Sequence, residues 1–175
     1  DETLPEAKSI PKILDRINAT REHRLQSVKP ATKRMAGVPH RFGEVRSLTK
    51  FQSILVPITF SEAREYLTAS LVGAGTVVSV TAFALHDQSL WNLALLSSRT
   101  FLTWLATIGG KLETRYRFTN TVVWNTFPLP KLTEKNKADL TRCAEKILLA
   151  REVHYPATIA DLYDPDEMPA NLKEA

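Results

Sequence analysis

The longest apolar segment of the sequence runs over residues 89–108 and is stopped by Gly109-Gly110. A run of that length approaches what a membrane span needs, about 20 residues, so it decides the class of chain. Ser97, Ser98, Arg99 and Thr100 stand at its centre, and a charge with three hydroxyls is costly in mid-bilayer. The segment is therefore expected to be a buried core helix, or two helices, with Asp87 as N-cap and the glycines as stop. Such a helix must be surrounded by other elements. A chain of 175 residues, 43% of them apolar, supplies enough material for one moderate domain or two small ones.

The surrounding pattern predicts the rest. Residues 10–28 place Ile10, Ile13, Leu14, Ile17, Leu25 and Val28 near helical period, with Pro11 tolerated at a helix start. Residues 29–50 are polar, basic and broken by Pro30, Gly37, Pro39 and Gly43, which predicts loop with short extended pieces. Residues 51–58, bounded by Pro57, and the β-branched run 76–85 read as strands. After the glycines come residues 111–118, then a β-branched run over 119–124, with Asn125-Thr126-Phe127-Pro128 read as a strand exit. Thr133 and Glu134 open a last helix whose stripe is Leu140, Cys143, Ala144, Ile147 and Leu148, with Cys143 as a small core residue. The fold class expected is α+β: a mixed β-sheet with a long core helix, flanked by N-terminal and C-terminal helices.

The formal charge of +4 is unevenly spread. Residues 29–117 hold eleven Lys/Arg against five Asp/Glu, a net of +6, and residues 161–175 hold one Lys against five acids. The densest basic stretch, 29–50, has Lys29, Lys33, Arg34, Arg41, Arg46 and Lys50 opposed only by Glu44. A basic middle between acidic ends suits a polyanion-facing surface, and equally a solvated face with no partner. Catalytic signatures are missing. A single cysteine rules out internal disulfides and cysteine-based zinc clusters, and His23, His40, His86 and His154 lie far apart. Gly73-Ala74-Gly75 is two glycines of a phosphate-loop fingerprint that needs a third and a helix start. No active site and no metal site are expected.

One constellation carries chemistry. Glu113, Arg115 and Arg117 alternate with Thr114, Tyr116 and Phe118. At strand period the three charged groups share one face and the aromatics the other. In the DNA major groove Arg makes two bonds to guanine and Glu accepts from cytosine N4, so such a row can address adjacent bases. The other reading is a surface ion pair between Glu113 and Arg115.

These residues also carry a resemblance. Gly109-Gly-Lys-Leu-Glu-Thr-Arg-Tyr-Arg-Phe-Thr119 and Val123-Trp-Asn-Thr-Phe-Pro128 resemble the Gly-Gly-Arg-Leu-x-x-x-Tyr-Arg-Tyr-Ser and Tyr-Asn-Thr-Phe-Pro stretches of MmeI-like, type IIL restriction–modification enzymes. Val56-Pro-Ile-Thr-Phe-Ser-Glu-Ala-Arg-Glu-Tyr66 is similar to their Pro-x-x-Ser-Ser-Glu-Arg-Arg-x-Tyr segment. Ser89-Leu-Trp91 with Leu96-Ser-Ser98 resembles their Leu-Trp…Thr/Ser-Ser helix. Ile159-Ala-Asp-Leu-Tyr-Asp-Pro165 with Met168-Pro169 resembles their C-terminal signature. Lys111 stands where the family usually has Arg, and Ala63 where it often has Arg.

The resemblance implies a double-stranded DNA-reading module of a longer chain, in keeping with a start at Asp1 without a leader. It implies an N-terminal helix or connector over 1–28, a target-recognition domain over 29–130 and a C-terminal helical segment over 131–175. Glu113, Arg115 and Arg117 correspond to base-reading positions, and Thr81 to one roughly thirty positions earlier. Lys33, Arg34, Arg64 and Lys111 are expected to hold phosphates and set register. The parent is expected to be a cytoplasmic adenine-N6 methyltransferase, in some relatives also an endonuclease. Its methyltransferase domain, and not this chain, is expected to bind S-adenosylmethionine and to pair with this module; no membrane is involved. The competing expectation is a protein-interaction or assembly domain, with a non-specific basic surface, whose apolar segment 89–108 docks another chain.

Overall fold

Proline lies in the first turn of each helix at the start of the chain: α1 (Leu4–Ser9), α2 (Pro11–Gln26) and α3 (Pro30–Arg34). Its fixed φ suits that position, and its missing N–H leaves no bond unmade there. The computed structural model describes residues 2–43 and 49–175, in two units, Asp1–Ser47 and Leu48–Ala175. In the first unit the Arg24 guanidinium donates to the carbonyls of Met35 (2.8 Å), Val38 (3.0 Å) and Arg41 (2.7 Å). These bonds tie α2 to the segment after α3, where Met35–Gly37 makes a 3₁₀ turn. The first part of the 29–50 stretch is thus helical rather than extended, because Pro30 serves as a helix start instead of a breaker. Glu44 and Arg46 of that stretch lie outside the described residues.

In the second unit one run of chain feeds two sheets. β1 (Gln52–Pro57) is flanked by β3 (Ser70–Gly73) and β4 (Ala82–His86), and β2 (Thr59–Phe60) pairs with β6 (Arg115–Arg117), whose other neighbour is β5 (Gly110–Leu112). Pro57 has no N–H with which to extend the first ladder, and the change of sheet falls beside it. All these pairings are antiparallel, so the expected mixed sheet is two small antiparallel sheets instead. Of the predicted 76–85 strand only residues 82–85 enter a ladder, in a strand that runs on to His86. β3 and β4 both run against β1 on its opposite edges, so residues 74–81 must return along β1, a span of about 17 Å.

The apolar segment is two helices, α4 (Trp91–Ser97) and α5 (Arg99–Ile108). Ser98 is extended and caps α5 by accepting from the Phe101 N–H (3.1 Å). Asp87 is not the N-cap of α4, a place taken by Leu90. With φ +52 it turns back, and its carboxylate accepts from the Thr49 hydroxyl (2.5 Å) and the Phe51 N–H (2.9 Å), bracing the start of β1. α4 is buried along nearly its whole length and packs on α6 (Glu134–Glu152) at the fully buried Ala144. Cys143 is exposed, one position off the buried stripe, and not a core residue. No described helix is long and apolar enough to cross a membrane.

Residues 119–124 are not a strand: Asn120–Trp124 winds into a π-helical turn. The winding turns Val123 into the core and lets the Trp104 indole donate to its carbonyl (3.0 Å). The core joins Ile54, Val56, Leu67, Leu93, Leu96, Phe101 and Phe118, with both sheets and all of α4 to α6 contributing. α7 (Ile159–Leu162) and α8 (Ala170–Glu174) close a second cluster on α6. There the buried Arg151 donates to Tyr163 Oη (2.9 Å from Nε) and to the Ala69 carbonyl (2.8 Å), clamping the C-terminal segment to the chain before β3.

Candidate functional site

α5 ends at Gly109 and the chain turns directly into the β5–β6 hairpin. A Cβ on Gly109 would stand 2.4 Å from the Leu105 carbonyl oxygen and 3.2 Å from that of Arg117. Only glycine lets β6 approach the helix end this closely. Leu112 pairs with Arg115, so Glu113 and Thr114 form a two-residue turn. Glu113 has φ +58, at the position where this kind of turn favours glycine. A carboxylate residue is therefore held in left-handed backbone at a cost of roughly 1–2 kcal/mol.

Glu113 is accordingly not on the strand face predicted for it, because the chain has already turned. It meets Arg115 across the turn instead, at 2.6 Å, with both side chains open to solvent. Register sorts the remaining positions. Arg115 and Arg117 are exposed on one face of β6, beside Leu112, Gly110 and Thr59. Tyr116 points the other way, its ring 5.6 Å from Phe60, and Phe118 is buried against Phe83 and Phe101. The back of the hairpin is thus part of the core and its front is charged.

Lys111 belongs to the Tyr116 side, with Nζ 5.4 Å from the ring centre, and not beside the two arginines. Thr81, exposed at the entry to β4, is linked to β6 through one residue. Its carbonyl accepts from Ile58 N–H (3.0 Å), and the Ile58 carbonyl accepts from Phe118 N–H (2.7 Å). Two strand spacings put it no more than about 10 Å from the end of β6. Arg64 is half-buried in the turn after β2, with its N–H on the Ser61 carbonyl (3.3 Å). Lys33 and Arg34 are exposed on α3 of the first unit. Sequence reasoning missed Ile58, which meets Phe118 only because β2 pairs with β6.

The front of the hairpin can donate from two guanidiniums and accept at one carboxylate. Other chemistry finds less support. Among the described residues no three His, Cys, Asp or Glu gather to hold a metal. Gly75 has φ +75 in a turn after β3 that leads to β4, not to a helix, so the Gly73–Gly75 segment does not fit a nucleotide-type cofactor. Asn125-Thr126-Phe127-Pro128 follows the π-helical turn and is not a strand exit; Phe127 packs on Phe101 at 5.0 Å, inside the core. The apolar sides of α4 and α5 are also spent inside this unit, which leaves the docking alternative without its surface.

Comparison with known proteins finds likeness along the whole chain. Residues 1–131 match the family described as MmeI, target recognition domain, and residues 132–175 that described as MmeI, C-terminal domain. DNA methyltransferase A of Bacillus subtilis (strain 168) is 36% identical over 168 residues, 96% of this chain and 19% of that protein. A solved structure of the type IIL restriction–modification enzyme MmeI in complex with DNA is similar at a TM-score of 0.83 and 32% identity. It covers 98% of this chain and 23% of its own. The chain therefore spans about a fifth of the length of these relatives.

Proposed function

Because the chain belongs to the MmeI family, matching its target-recognition domain and then its C-terminal domain, we propose that it reads duplex DNA for a larger adenine-N6 methyltransferase. The observation that carries this reading is the hairpin front: Arg115 and Arg117 exposed on β6, with Glu113 in the adjoining turn paired to Arg115, and Tyr116 and Phe118 turned to the core behind them. Rigid placement matters because base readout depends on matching donors and acceptors to one groove edge. Arg115 and Arg117 donate to guanine, Glu113 accepts from cytosine, and Thr81 addresses a neighbouring base pair. Lys33, Arg34, Arg64 and Lys111 contact phosphates, which set register and not sequence.

Methyl transfer falls to another part of the parent chain, in the cytoplasm. S-adenosylmethionine supplies the methyl group there, and the methyltransferase portion extrudes the adenine, whose amino group is unreachable in the stack. This chain contributes register and choice of site.

The test is a reversed pair in the full-length parent, Glu113→Lys with Arg115→Asp. Lys donates where Glu accepted, and Asp accepts where Arg donated, so the preferred base pair should change at one position and remain elsewhere. Each single change should lose about 1–3 kcal/mol of discrimination, and the double change should recover activity on the new motif. Sequencing the methylated motif reads the result. Full methylation of the original motif by the double variant would reduce Glu113 and Arg115 to a surface ion pair.

A further inference from the structure

A cavity of about 250 Å³ lies between α4, α6 and α8, at the start of α5 and so about 15 Å from the hairpin that follows its end. Its walls are mainly apolar, with Leu140, Ile147 and Met168 on them, and Tyr66 and Tyr163 add aromatic surface. Ser97 lines it too. That residue is 7% exposed, and its hydroxyl finds no hydrogen-bond partner among the described residues. A buried hydroxyl left unpaired is costly, and native structures pair most of them with protein, water or a ligand. Water needs several polar partners to stay, which mainly apolar walls do not offer.

The cavity also has a sign. Arg99 and Lys173 line it with exposed side chains, and no Asp or Glu is among its described lining residues. Arg99 donates to Tyr66 Oη (3.2 Å) and to Glu65 (3.3 Å) from one nitrogen, so its other N–H groups remain for a ligand. Ser97 and Arg99 are two positions apart, which keeps their Cα atoms within about 7 Å.

We propose that this cavity binds a small organic acid, an aromatic ring with a carboxylate at one end and a hydroxyl at the other. The ring lies on the apolar walls, the hydroxyl pairs with Ser97, and the carboxylate meets Arg99 and Lys173. An apolar cavity of roughly 150 Å³ holds one benzene ring, so this larger one takes a ring with two short substituents. The site shares no residue with the hairpin front and stands apart from the DNA-reading function.

The single cysteine of the chain, Cys143, is exposed and lines the cavity, so its alkylation reports occupancy. Iodoacetamide labelling of Cys143, read by peptide mass spectrometry, is followed in this chain and in the full-length parent, beside the melting temperature. Three compounds of similar size are added: 4-hydroxyphenylacetate, phenylacetate without the hydroxyl, and tyramine with the charge reversed. The first should slow labelling several-fold at millimolar concentration and raise the melting temperature with dose. Phenylacetate should bind roughly fivefold more weakly, as one lost hydrogen bond implies, and tyramine should give no protection. Ser97→Ala should remove the advantage of 4-hydroxyphenylacetate over phenylacetate without lowering the melting temperature, because the deleted hydroxyl has no partner in the fold. Equal protection by all three compounds makes the cavity a plain apolar void and overturns the proposal, as does protection by none. A melting shift without protection places binding elsewhere and overturns it too. So does a Cys143 that reacts in this chain but not in the ligand-free parent, since another part of the parent then fills the cavity.

Discussion

Two adjacent glycines separate what the fold needs from what a bound partner needs. At Gly109 a methyl group meets the Leu105 carbonyl and the Arg117 strand, so Gly109→Ala is expected to cost about 1–3 kcal/mol, seen as a lower melting temperature. Gly110 has nothing within 4 Å of its would-be Cβ, yet it sits opposite Arg117 on the charged front. Gly110→Ala should leave the melting temperature unchanged or slightly higher and, if this front meets DNA as proposed, weaken duplex binding through the added methyl group. Equal effects of both variants on stability would remove that distinction. Glu113 shows the complementary conflict of a charged side chain on a backbone suited to glycine. Glu113→Gly should stabilise the chain by about 1 kcal/mol in denaturant unfolding and, if Glu113 reads a base as proposed, abolish discrimination at that base pair.

Elements differ in how they are held, and pH reaches one of them. The loop into β1 depends on the Asp87 carboxylate, whose pKa is lowered from 3.8 to about 2, mainly by the Thr49 hydroxyl and then the Phe51 N–H. A carboxyl depressed in the folded state adds stability that is complete above its unfolded value, near pH 4, and fades as pH falls toward 2. Asp87→Asn should therefore melt below the parent sequence at pH 7, with the gap closing by about pH 2. A gap constant from pH 7 to pH 2 would mean that shape, not charge, braces this loop. The α6 stripe shows a different kind of hold: Arg151 is buried among a phenol, a carbonyl and the Tyr163 ring, 4.9 Å away. The Asp161-Leu162-Tyr163 part of the C-terminal motif thus has a structural reason, since Asp161 caps α7 through Thr158 and Tyr163 receives the guanidinium.

Across the whole molecule, what was legible in the sequence was whatever depends on neighbours in the chain. Local period leaves the break at Ser98 open between one helix and two, but the start of α6 at Thr133 and the inward turn of Tyr116 and Phe118 follow from local period and capping. The place of Glu113, the π-helical turn after Thr119 and the loop over 74–81 do not, because they are set by which strand edge is free and how close a helix end comes. Charge is legible in amount but not in use, and here the prediction is thermodynamic. Residues 29–117 carry a net +6, and Lys33 and Arg34 are exposed. If they neutralise phosphates, changing both to Ala should weaken binding of this chain to every duplex alike and flatten the slope of log affinity against log salt. The expected change is about 0.9 for each lost contact. Arg115→Ala, by contrast, should alter preference among duplexes, because a base contact carries sequence information and a phosphate contact does not. A titration between about 50 and 200 mM salt resolves the two, since that range moves affinity by orders of magnitude when several phosphates are engaged. Unchanged affinity of the Lys33/Arg34 double variant at the lowest salt would show this basic helix to be a solvated surface.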